Sequence, residues 1–214
     1  MDARNIATVA LSLLALAASA LAIDAQARQR QHRFYILKPL ATALIIAVAA
    51  LRAPLRPQVG LWIVAGLVLS LAGDVLLMLP RDRFAAGLAS FMAAQVAYTV
   101  AFVNDAAWHG PAWALLPSAV LLVVLGLTVL PRAGSMRVPV AAYGLVIAAM
   151  AWRALVRHVA IGETRTLLGM MGAWLFVASD LSLAWRRFVQ RMAWLPVFCL
   201  SSYYLAQLLI ALSI

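Results

Sequence analysis

The sequence is poor in the residue types from which soluble enzymes build their sites. Of 214 residues only 11% are charged, seven are acidic, three are histidine and one is cysteine. The lone Cys199 can close no internal disulfide and supply no thiolate cluster, and its apolar neighbours make it a packing residue. The histidines are too scattered to share a metal, because His32 belongs to the first loop while His109 and His158 fall toward the opposite side. Zinc hydrolysis needs three ligands meeting at one point. It is therefore excluded, and a Ser-His-Asp triad fails for the same reason. No Gly-x-Ser-x-Gly, Walker loop, dinucleotide fingerprint or Cys-x-x-Cys occurs, so no metal or cofactor is expected. Basic tracts interleaved with aromatics are missing too, and the net charge of +10 does not point to nucleic acid as a partner.

What the chain has instead is apolar sequence. Hydrophobic residues make up 66% and the mean hydropathy is +0.97, far outside soluble norms. A bilayer core asks for roughly 20 apolar residues per helix. Segments 6–23, 35–51, 59–79, 84–103, 112–130, 138–156, 166–185 and 194–214 meet that need, so the expected fold is an all-α polytopic membrane protein of eight transmembrane helices in one domain. Breakers stand between them: Pro54 and Pro57, Pro80, "HGP" at 109–111, Pro131 and "IGE" at 161–163. The first segment ends in "ASA", like a signal-peptide cleavage site, but the arginines follow it rather than precede it, which favours a retained helix. Counted by alternate loops, ten arginines including Arg81 lie on one side and six on the other. The richer side is expected to be cytoplasmic, with both termini outside.

Most acidic residues sit where water reaches them: Asp2, Asp24, Asp82, Asp105 and Glu163 fall at segment ends or in loops and are expected to be solvated. Asp74 and Asp180 do not. Each lies about five residues before the same end of its helix, roughly 7 to 8 Å below the interface at the helical rise. An ionisable group at that depth is expected to face the bundle interior or a wet cavity. Their settings repeat, "GLVLSLAGD" at 66–74 and "GAWLFVASD" at 172–180, and the offset of 106 residues suggests two parallel halves of four helices. Lys38, the only lysine, falls on the same side in "FYILKPLATAL". It is read as a snorkelling side chain, a partner of Asp74 or Asp180, or a phosphate-binding cation. Ser70, Gln95, Tyr98, Tyr143, Tyr203 and Gln207 bring further polarity to helices three, four, six and eight and suggest a polar-lined cavity.

Two carboxyl groups in a partly dry site tend to hold one proton between them, which yields a general acid and a general base without a metal. Three uses of such a pair remain: cleavage of an acid-labile bond, intramembrane proteolysis, and proton-coupled transport. The residues before Asp74 are "LAG", not the Gly-x-Gly of intramembrane aspartyl proteases, and no Tyr-Asp occurs at either position.

The order of "LKPLATALII", "SLAGDVLLML", "FAAGLASFMAAQVAYTVAF", "VAAYGLVIAAMAWRAL", "GAWLFVASDLSLAWRRF" and "SSYYLAQLLIAL" resembles the YhhN-like membrane proteins, whose vertebrate members are lysoplasmalogenases. The resemblance covers helices two to eight. It implies a hydrolase that cleaves the vinyl ether of a lysophospholipid within membrane lipid, with Asp74 and Asp180 as its catalytic aspartates. Arginine used in place of lysine has the look of a high-GC bacterium, and a bacterial inner membrane is the expected location.

Overall fold

The computed structural model describes residues 2–79, 83–106 and 110–214. Among these there is no strand, and eight helices are long and apolar enough to cross a membrane. They are α1 (Ala3–Ala27), α2 (Gln31–Arg52), α3 (Pro57–Met78), α4 (Phe84–Asp105), α5 (Leu116–Thr128), α6 (Arg137–Ile161), α7 (Thr164–Phe188) and α8 (Leu195–Leu212). Short 3-10 turns lengthen α5 at both ends, so the apolar rod covers Ala112–Arg132. The chain is an all-α, polytopic, integral membrane protein. Pro80, Arg81, Asp82 and His109, discussed above as a breaker, loop charges and a loop histidine, lie outside the described residues.

Several helices, α1, α2, α6 and α7 among them, run further than their apolar runs. α6 continues past residue 156 to Ile161, because Arg153 and Arg157 are buried inside the bundle rather than spent in a loop. It stops at Gly162, whose φ of 72° is the left-handed conformation that glycine adopts without steric cost. α2 begins at Gln31 rather than residue 35, which places Lys38 two turns in, about 10 Å along the axis.

Four packing pairs repeat when four is added to each helix number, although the packing of α1 on α8 has no matching α5–α4 contact of that size among the described residues. α1 packs on α2 as α5 does on α6, α2 on α3 as α6 on α7, α3 on α4 as α7 on α8, and α4 on α6 as α8 on α2. The paired glycines of the two similar segments share a role in this. A Cβ on Gly66 would collide with the Tyr98 ring of α4, and one on Gly172 would lie 2.8 Å from Ile210 of α8. Small residues at these points let each helix of a pair approach its partner closely. The core they close over is aromatic as well as aliphatic: Phe91, Phe176 and Tyr203 meet edge to face with centroids 5.6 to 6.2 Å apart.

Candidate active site

α3 and α7 run in the same direction, and both bring a carboxyl group to one cavity of about 290 Å³. Its wall includes Lys38, Asp74, Phe91, Ser179, Asp180, Arg186 and Tyr203. Asp74 is 1% exposed, and both of its carboxylate oxygens are partnered. The Lys38 ammonium stands 3.1 Å from Oδ1, while Thr42 and Tyr203 donate their hydroxyls to Oδ2 at 2.9 and 2.7 Å. Lys38 and Thr42 are one turn apart on α2, which is why both can reach the same carboxylate. Three contacts leave one of the roughly four lone-pair positions of a carboxylate unused.

Asp180 is held differently. Tyr143 of α6 donates its hydroxyl to Oδ2, and among the described residues no cation stands against this carboxyl group. Asp180 also borders an apolar cleft lined by Leu88, Leu121, Leu125, Val140, Ile147 and Val177. Leu77, Phe91, Asp180 and Leu183 belong to both walls, so Asp180 sits where the polar cavity meets the apolar one.

The remaining polar residues form a layer one helical turn further into the bundle. Ser70 precedes Asp74 by four residues and Gln207 follows Tyr203 by four. Tyr98 joins them, donating to Gln207 Oε1 at 2.7 Å with Ser70 Oγ 3.4 Å away. Gln95 is fully buried on α4 beside the Tyr143 hydroxyl. Ser70, Gln95, Tyr98 and Gln207 do not line the cavity. Thr42 escaped the sequence reading, although its place four residues after Lys38 was a usable signal.

Asp105 is a correction. The end of a helix beside a loop suggested a solvated carboxylate, yet the side chain is 0% exposed. Arg56 reaches Oδ1 at 2.5 Å, and Arg157 and Arg165 reach Oδ2 at 2.6 and 2.5 Å. Arg165 also pairs with Glu163 at 2.6 Å, and Arg157 donates to the Ser213 carbonyl at 2.9 Å. These contacts tie the ends of α3, α4, α6, α7 and α8 together and satisfy a carbonyl that α8 cannot satisfy itself. A carboxylate at a helix C-terminus opposes the helix dipole, and the three guanidiniums offset that.

Comparison with known proteins gives a family and relatives. The sequence profile described as the YhhN family matches residues 33–214. The human protein named Lysoplasmalogenase TMEM86B is 37% identical over 153 residues, covering 69% of this chain and 60% of the relative. Its rat counterpart is 35% identical, covering 71% and 61%. A protein of Escherichia coli O157:H7 named Uncharacterized membrane protein YhhN is 32% identical over 119 residues, covering 53% and 57%. The chain thus spans about 60% of the length of the lysoplasmalogenases it matches. No solved structure matches it.

Proposed function

The chain belongs to the YhhN family, and on that premise we propose that it is a membrane hydrolase that cleaves the vinyl ether of a lyso-ether phospholipid, releasing a fatty aldehyde and a glycerophospho alcohol. One observation carries this reading: Asp74 and Asp180 face one cavity with unlike partners, an ammonium besides two hydroxyls for the first and a phenol without an ammonium for the second. Lys38 holds Asp74 as the carboxylate, while Asp180, beside an apolar cleft and without a cation, carries the proton. Asp180 then acts as general acid and delivers that proton to the vinyl carbon β to the ether oxygen. The oxocarbenium ion that results is stabilised by the Asp74 carboxylate, as in glycoside hydrolysis. Asp74 takes a proton from water as it adds to that ion, and the hemiacetal collapses to aldehyde and alcohol.

The other groups fall into supporting roles. Tyr143 orients Asp180, and Thr42 and Tyr203 orient Asp74. Lys38 keeps further N–H donors for the glycerol oxygens, and Ser70, Tyr98, Gln95 and Gln207 fix the two tyrosines from behind. The alkenyl chain follows the apolar cleft among α4, α5, α6 and α7. The arginine-rich end of the bundle, where the cavity lies, faces the cytoplasm by the charge bias of the loops, and a bacterial inner membrane is the setting.

Purified protein in detergent, given a lysoplasmalogen beside diacyl and lyso-ester controls, should release aldehyde from the first alone. Asp74→Asn and Asp180→Asn should each lower that rate by at least about 10²-fold. Turnover near wild type in either variant would remove the aspartates from the chemistry. Proton-coupled uptake into liposomes without aldehyde would mark a transporter instead.

A further inference from the structure

We infer that the depression between Arg83, Arg186, Arg187 and Arg191 is a phosphate subsite that seats the head group of the lyso-lipid, an inference that rests on the proposed vinyl ether hydrolysis. The four arginines come from three places in the chain: the start of α4, the last turn of α7 and the connection to α8. They converge on one open depression of about 710 Å³. Arginines at helix ends orient membrane proteins by their number on one side. That function does not require them to share a wall.

Three observations connect this depression to the aspartates. Leu77, Leu183, Arg186 and Pro196 line both it and the cavity that holds Asp74 and Asp180, so the two spaces adjoin. Lys38, the other cation of the cavity, is 7% exposed and already engaged by Asp74, and a phosphate there would place two anions on one ammonium. The spacing along α7 also fits the substrate. Asp180 and Arg187 are seven residues apart, two turns on one face, or about 10 Å along the axis. In a lysoplasmalogen about seven bonds separate phosphorus from the vinyl carbon that takes the proton, roughly 8 to 9 Å for an extended chain. A phosphate held by the last turn of α7 therefore leaves that carbon level with Asp180. Guanidinium groups suit the task, since their planar fork meets two phosphate oxygens at once.

A binding measurement separates this subsite from catalysis. The probes are a non-hydrolysable 1-O-alkyl-glycerophosphocholine and the 1-O-alkylglycerol of the same chain, titrated into detergent-solubilised protein and followed by tryptophan fluorescence. Wild type should bind the phosphate-bearing probe at least about tenfold more tightly. Arg186→Gln combined with Arg187→Gln should bring the two affinities to within about threefold, chiefly by weakening the phosphate-bearing probe. Arg28→Gln with Arg30→Gln, at the same end but outside the depression, should keep the preference. An unchanged preference in the first pair, or an equal loss in the second, would overturn the subsite.

If the α7 variant does not fold, competition on the wild type decides. Glycerol 3-phosphate should displace the phosphate-bearing probe and glycerol should not, whereas displacement by neither would overturn the subsite. A phosphate preference in a protein that releases no aldehyde would support the subsite and refute the hydrolase reading.

Discussion

At the end of the bundle that holds the cavity, one carboxyl group, Asp74, is ion-paired with Lys38, and the other, Asp180, has no ion pair among the described residues. At the other end two carboxylates, Asp105 and Glu163, share three guanidiniums from Arg56, Arg157 and Arg165. The first cluster is open to a cavity and is short of an ion-paired cation. The second has one to spare, and Asp105 within it is shut off from solvent. A shortage of cation beside water lets a proton occupy one carboxyl group and leave it again. A surplus around a buried carboxylate holds it charged and fixed, because removing any one partner strands the rest in a poor solvent for ions. The same residue types thus serve reaction at one end and cohesion at the other, according to charge balance and access.

Substitutions should separate the two ends. The largest effect is expected for Asp105→Ala, which leaves three arginines facing one another and should cost about 3–5 kcal/mol of stability. Thermal unfolding in detergent would register it, and the fraction that remains folded should keep the wild-type KM; normal stability with abolished activity would reverse the assignment of that end. Lys38→Met comes next, lowering kcat by at least about tenfold because it leaves the buried Asp74 carboxylate without its cation. Lys38→Met combined with Asp74→Asn should be more stable than Lys38→Met alone, since the stranded charge is then gone; equal stability would mean that the pair is not coupled. Tyr143→Phe removes one hydrogen bond of about 1 kcal/mol and should lower kcat about fivefold with little change in KM. Thr42→Val should have the smallest effect, about two- to threefold, because Lys38 and Tyr203 still hold Asp74.

Much of this contrast was legible in the linear sequence at one end and little at the other. Eight spans follow from eight apolar runs, since a bilayer admits few other solutions. Asp74 and Asp180 stood out because each interrupts such a run at the same depth, and Lys38 because it is the only lysine. Asp105 did not stand out. A carboxylate at a helix end beside a loop reads as solvated, and only the approach of Arg56, Arg157 and Arg165 from three other helix ends buries it. The short reading of helix six came from the same source: Arg153 and Arg157 have the look of loop residues until a partner inside the bundle is known. Ser70, Gln95, Tyr98 and Gln207 suggested a cavity wall, because polar side chains on an apolar helix mark either water or one another, and here Ser70, Tyr98 and Gln207 meet each other.

Protonation of the vinyl carbon by Asp180 is the central claim, and the aldehyde product records it. With purified protein and lysoplasmalogen in deuterated water, mass spectrometry of the trapped aldehyde should find one deuterium on the carbon next to the carbonyl. It should also find at least about 10²-fold less product from Asp180→Asn. Aldehyde without deuterium at that carbon, or no aldehyde from the wild type, would contradict the account.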